Sequence, residues 1–356
     1  MKYWEIGPFQ KIPEPILRAD SSLHFLCPVQ NKTEKWANNG VYNPSAVVKD
    51  GVIHMVYRAD GERLGGKDYF GYNRVTCRIG HATSTDGIHF TPSAEPVLFP
   101  DNDEYKPYEW WGGCQDMHVI EDENGHYYMN YDGWSGFYMD HPQGYGECPP
   151  DPIYDVLLSA VSDDMIHWKK VGPAMNIEYP LCQNHSRSGT IVCREENGRM
   201  VAAKINGKYW MYQSHHGWLA TSDDLIHWDP VFDENGKIKC LFPEYPTLRY
   251  CQLSCESGAA ALLTEHGIVY FFNGRGPTTD DTSYEWAICQ ALIDPNDMIT
   301  VLDVSEAPTL APEYDWERNG HSPEAALVCN TLIRFHGKWI LYYGGGDSSI
   351  GCAICE

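Results

Sequence analysis

Several charged and polar residues stand at the starts of apolar runs, where ordinary strand sequence would place none. In CQDMHVI, beginning at Cys114, the residues Gln115, Asp116 and His118 interrupt such a start. Aspartate is a poor strand residue and is seldom buried without a partner. Asp116 is therefore either a cap at a loop-to-strand junction or the acid of an active site. Similar junctions hold Asn43 and Ser45 in NPSAVV, Arg187 in SRSGTIV, Glu256 in CESGAAALL, and His321 with Glu324 in HSPEAALV. Brought to one place, they would supply carboxylates, a guanidinium and imidazoles. A pair of carboxylates suits glycoside cleavage, one donating a proton to the leaving oxygen and the other serving as base or nucleophile. Trp110, Trp111, Trp134, Tyr138 and Trp218 could stack on sugar faces or pack between structural units.

The elements that would gather these residues repeat. Five segments share one plan of apolar strand, glycine turn and aromatic strand: AVVKDGVIHMVYRA, HVIEDENGHYYMNYDG, AAKINGKYWMYQ, ALLTEHGIVYFFNG and TLIRFHGKWILYYGGG. Asp-Gly or Asn-Gly between apolar runs signals a tight hairpin, because glycine tolerates φ > 0. A third strand rich in small residues follows each hairpin. Three of these run into STDGIHF, SDDMIHW and SDDLIHW, where Asp86, Asp164 and Asp224 read as turn residues and the His-aromatic ends lead into a fourth strand. Units of roughly 60–80 residues with three to four strands predict an all-β fold, a five-bladed β-propeller. Its first strands would run along a central channel, where the polar junctions converge. Residues 1–37 read as an extension that closes the ring or mediates oligomer contacts, and 38–356 as the propeller. Residues 133–152, rich in Gly, Pro and aromatics, read as a long loop inside the second unit.

Composition narrows the partners. The chain has 356 residues, 43% of them apolar, and a net charge of −23. Such acidity argues against nucleic acid and against an anionic membrane surface. The start lacks a signal-peptide pattern, and no apolar run is long enough to span a bilayer. Thirteen cysteines without a regular framework fit reduced thiols in a cytoplasmic protein. The CAIC of Cys352 and Cys355 lies in an apolar, strand-like run, where positions i and i+3 face opposite sides, so no metal site is expected there.

In order along the chain, NPSAVVKDGVIHMVYRADG, RIGHATSTDGIHF, GGCQDMHVIEDENGHYYMNYDG, KINGKYWMY, WLATSDDLIHW and ILYYGGGDSSIGCA resemble glycoside hydrolase family 130 from about residue 38 to 356. The resemblance implies a five-bladed propeller acting on β-mannosides, either as an inverting phosphorylase or as an inverting hydrolase. It implies that Asp116 is the general acid, passing its proton through a sugar hydroxyl. Arg58 and Asp347 would hold the terminal mannosyl unit, Asn43 and Arg78 would line the site, and Lys204 would match a phosphate-linked lysine. The sequence also departs from the family. The family's Glu-Asp-Pro-Arg motif reads Gln115-Asp116-Met117-His118, QSHHG stands where phosphorylases have a His-Arg pair, and Phe272-Asn273-Gly274 replaces Tyr-His-Gly. Phosphate wants fixed cations, whereas Glu256 falls in a stretch that is uncharged in phosphorylases. Arg187, His185, His215 and His216 could still provide positive charge.

The expected function is therefore an inverting, exo-acting hydrolase of β-mannosides, with β-1,2-linked manno-oligosaccharides as candidate substrates. Asp116 would be the acid and Glu256 the base, roughly 6.5–9.5 Å apart for direct inversion. Asn43, Arg58, Arg78, Gln115, His118, Arg187, Lys204, Asn273, His321 and Asp347 would bind substrate. An acid working near neutral pH implies a raised pKa for Asp116. The alternatives are a phosphorylase, with inorganic phosphate as co-substrate and mannose 1-phosphate as product, and a non-catalytic sugar-binding propeller. No cofactor is expected in either hydrolase or binding module; a homo-oligomer is compatible with the extension at residues 1–37.

Overall fold

A computed structural model describes residues 1–28, 30–65, 74–110, 112–135, 155–176, 187–246, 248–278 and 283–356. The fold is nearly all β; among the described residues the helices are the single turns Lys106–Glu109, Asp315–Arg318 and the 3-10 turn Arg249–Cys251. Five antiparallel units follow one another. The first pairs Gly40–Lys49, Val52–Asp60 and Cys77–Ser84. The second pairs Gly113–Glu121, Tyr127–Trp134 and Asp155–Ser162. The fourth pairs Ser254–Thr264, Gly267–Pro277 and Tyr284–Ile293, and the fifth Ala325–Phe335, Lys338–Gly345 and Ser349–Cys355. Asp50 and Gly51 both have positive φ, 51° and 76°. Two consecutive left-handed residues match the right-handed twist of the strands they join.

The third unit differs from the simple hairpin expected around KINGKY. Its inner strand, Gly189–Glu196, pairs both with Arg199–Ala202 and with Lys208–Gln213, so an additional hairpin is inserted before the glycine turn. Lys208–Gln213 then pairs with Trp218–Ser222.

The three repeated aspartates build identical turns. Asp164 Oδ1 accepts the backbone N–H groups of Ile166 and His167 at 2.9 and 2.7 Å, and Asp86 and Asp224 do the same for their neighbours. Short strands Thr91–Pro92, Lys169–Pro173 and Asp229–Pro230 follow directly.

Alternation along each strand sends apolar side chains to both faces, and each face is covered by the neighbouring unit. Five apolar clusters result, each shared by two units. Val56 and Met129 belong to a cluster between the first and second units. Ile120 and Ile191 join the second and third, Tyr212 and Tyr270 the third and fourth, and Phe271 and Leu341 the fourth and fifth. Met55 and Ile340 join the fifth to the first. Side chains also stitch the inner strands. Ser45 Oγ accepts Val119 N–H, Thr190 Oγ1 donates to Gly258 O, and Thr331 Oγ1 donates to Ala46 O. Backbone pairing between units is confined to short stretches such as Cys77 with Gly113, and these do not form a closed sheet.

The N-terminal segment is built into this arrangement. Gln10–Lys11 pairs with Ile354 and Ala353 on the edge of the last strand. The hairpin Asp20–Cys27 with Lys32–Ala37 packs Phe25 and Trp36 onto the first unit. The eleven described cysteines are free thiols. No helix among the described residues is long and apolar enough to cross a membrane.

Candidate active site

The inner strands share an irregularity that creates the site. Their pairing registers shift between Tyr42 and Ser45, Gln115 and His118, Ser257 and Ala261, and Cys329 and Thr331. A bulge of this kind bends the strand and re-aims a side chain. Asn43 and Asp116 sit inside two of these bulges with φ of 47° and 49°, and Asp347 has φ of 51°. Asn and Asp tolerate this conformation better than other non-glycine residues. All three line one cavity of about 330 Å³. Glu256, Arg58, Gln115, Arg187 and His321 line it too, with Trp134 and Trp286 on its walls.

Asp116 is nearly inaccessible, at 3% exposure. Its Oδ1 accepts Asn43 Nδ2 at 2.7 Å and its Oδ2 accepts Arg187 Nη2 at 2.8 Å. Arg58 Nη1 lies 3.4 Å from both oxygens. Burial pushes the carboxyl upward, but Arg58, Arg187 and the Asn43 amide outweigh it and hold Asp116 below the usual carboxylate range. The expectation of a raised pKa is thus corrected for the free site: two guanidiniums stabilise the anion. A carboxyl of the cavity lining that does rise is Asp347, pushed to about 7 by burial, with Arg58 opposing and Asp116, Asp60 and Glu256 adding to the rise. Glu256 stands on the wall with its Oε1 3.7 Å from His215 Nδ1.

Four residues expected to contact substrate lie elsewhere. Arg78 is fully buried, pairs with Glu34 and donates to Thr76 O and Cys27 Sγ, so it pins the N-terminal hairpin. His118 lies beyond the bulge and faces a small second void beside Thr190 and Asn330; burial lowers its pKa to about 4. Lys204 is exposed, its Nζ 4.7 Å from the centre of the Tyr209 ring. Asn273 is buried between units, where its amide donates to Ser257 O and Cys329 O and accepts Cys329 N–H. Glu324 pairs with Arg275. His216 stacks on Tyr245, and Trp110 is buried in the core. Trp111, Tyr138 and His185 lie outside the described residues, as does most of the 133–152 stretch.

The sequence reading passed over several lining residues. Asp60 accepts Tyr42 Oη at 2.9 Å and Arg58 Nε at 3.2 Å. Asp60 is within reach of the sequence, because it stands two residues after Arg58 on one strand and so shares its face. Trp286 and Asn330 gave no local signal. Among the described residues, no three His, Cys, Asp or Glu side chains form a metal-ligating group.

Comparison with known proteins places this cavity in context. A family model described as beta-1,4-mannooligosaccharide phosphorylase matches residues 10–144 and 153–356, beginning well before residue 38. A 1,2-beta-oligomannan phosphorylase of Thermoanaerobacter sp. (strain X514) is 26% identical over 90% of this chain and 92% of its own length. A glycosyl hydrolase from Bacteroides ovatus is 32% identical, with a TM-score of 0.87, covering 99% of this chain and 95% of its own. A further structure, described among glycoside hydrolases of the GH130 mannoside phosphorylase family that target beta-1,2 mannosidic linkages in Candida mannan, is 31% identical. It superimposes with a TM-score of 0.88, covering 99% of this chain and 95% of its own. With the family model spanning both the bulged strands and the cavity they form, the chain belongs to glycoside hydrolase family 130.

Proposed function

We propose that this protein is an inverting, exo-acting hydrolase of β-mannosides, with β-1,2-linked manno-oligosaccharides as its substrates. In this proposal the fold is a five-bladed propeller, in which the five shared apolar clusters are the contacts between blades. The observation that carries the hydrolytic reading is the charge of the cavity. Asp60, Asp116, Glu256 and Asp347 line it against the two guanidiniums of Arg58 and Arg187. Both guanidiniums are engaged by carboxylates. A phosphate dianion needs a surplus of fixed cations, and Lys204 does not line the cavity. Water carries no such demand.

In this reading Arg58 and Asp347 hold the terminal mannosyl ring, with Asn43, Gln115, Arg187 and His321 around it. Glu256 takes a proton from a water that attacks the anomeric carbon, and Asp116 gives one to the leaving oxygen, directly or through a sugar hydroxyl. Asp116 is ionised in the free site. A sugar that fills the cavity expels water and adds desolvation, which favours the protonated acid. Reduced thiols and the acidic surface fit a cytoplasmic location. Phosphorolysis is the second reading, favoured by the likeness to the 1,2-beta-oligomannan phosphorylase of Thermoanaerobacter and by His215 and His321, whose imidazoles could add positive charge.

Incubation with β-1,2-mannobiose, with and without inorganic phosphate, separates the two. Free mannose is expected in both cases, and none from a folded Asp116→Asn variant. Mannose 1-phosphate formed only with phosphate present would overturn the hydrolytic reading.

A further inference from the structure

On the cavity wall, Arg187 stands among three carboxylates. Its Nη2 donates to Asp116 at 2.8 Å, its Nε lies 3.2 Å from Asp132 Oδ2, and its Nη1 lies 3.9 Å from Asp155 Oδ2. Asp116 has a second cation in Arg58 and an amide in Asn43. Asp132 is wholly buried and does not line the cavity. Its Oδ1 accepts the N–H of Ser188 at 3.1 Å. Its Oδ2 and Arg187 Nε, although close, are not aligned as a hydrogen bond.

Asp132 itself is closed to water, and the guanidinium beside it is shared with Asp116 and Asp155; a buried carboxylate without a full counter-charge takes up a proton instead. Asp132 is the deepest of the three. We propose that Asp132 is a positioning residue that acts as a neutral carboxylic acid, holding Arg187 against Asp116 without competing for its charge. An ionised Asp132 would draw the guanidinium back from Asp116. The neutral acid fills the same space, while its other oxygen fixes the backbone of Ser188, next to Arg187 in the chain. The ionisation behaviour agrees: burial pushes the Asp132 carboxyl well above the ordinary range, Arg187 opposes this, and Asp155 and Asp116 add to it. The catalytic part of the inference rests on the assignment of Asp116 as proton donor; the protonation state does not.

Asp132→Asn and Asp132→Ala test it through melting temperature from pH 5 to 8 and through kcat and KM on β-1,2-mannobiose. A carboxyl raised in the folded state keeps a proton that the unfolded chain releases above about pH 4, so the wild type loses stability as pH rises and the Asn variant escapes that loss. The melting temperature of Asp132→Asn should therefore gain on the wild type by roughly 2 °C per pH unit. Its kcat should stay within about threefold of wild type, whereas Asp132→Ala should lose about 100-fold in kcat with KM changed by less than about threefold. A constant melting difference would overturn the neutral acid. An Asn variant with under a tenth of wild-type kcat, or an Ala variant as active as the wild type, would overturn the positioning role. Should the Ala variant not fold, the Asn variant decides alone. A wild type inert toward mannosides would end the functional reading, and the melting comparison would still decide the protonation state.

Discussion

At the scale of single residues, neighbours distant in sequence decide which carboxyl carries a proton. Arg58 and Arg187 keep Asp116 ionised, whereas burial, with smaller contributions from Asp116, Asp60 and Glu256, lifts Asp347 to about 7. If Asp347 grips sugar hydroxyls, its ionised form is the better acceptor, since charge-assisted hydrogen bonds are the stronger ones. A rise of kcat/KM as pH increases through about 7 is expected in the wild type. Asp347→Asn should remove that limb and lower kcat/KM by roughly 10- to 100-fold, read from a pH–rate profile. None of this was legible beforehand. The sequence marks Asp116 as unusual, but the sign of its shift depends on cations 58 and 71 positions away.

At the scale of elements, the hairpins were legible because apolar alternation and turn glycines are local signals. The bulges were not, since two residues opposing one on the partner strand leave no pattern that composition reveals. Yet the bulges aim Asn43 and Asp116 into the cavity, and the residue after the bulge, His118, is turned away from it. Arg78 was misassigned for a related reason: its partner Glu34 belongs to the N-terminal hairpin, which the sequence reading set apart as an extension. Lys204 follows from a motif match, but its short strand, Lys204–Ile205, comes after the inserted hairpin and pairs with Lys208 and Tyr209, where the side chain is exposed to solvent. Gly113 shows how closely the strand bearing Asp116 is held. It has φ of 99°, and a Cβ there would lie 2.0 Å from Cys77 O. Gly113→Ala should displace this strand, lowering the melting temperature by several degrees and kcat by at least about tenfold. Melting and turnover measured on one preparation check both.

At the scale of the whole molecule, the first and last segments of the chain hold each other. Lys11 forms a buried ion pair with Glu317 at 2.7 Å, with side-chain exposures of 5% and 0%. Tyr343 Oη also donates to Glu317 at 2.8 Å. Lys11→Met would strand a buried carboxylate, at a cost of about 3–5 kcal/mol. Urea unfolding of the variant should show that loss as an earlier midpoint. The order in which a polypeptide is synthesised gives this closure another meaning. Val41 N–H bonds to Ser348 O, and the apolar side of the first unit is covered by Ile333, Ile340 and Ile350. About 300 residues must be translated before that cover exists. Until then the nascent chain carries an uncovered apolar flank, the kind of surface through which incomplete chains aggregate.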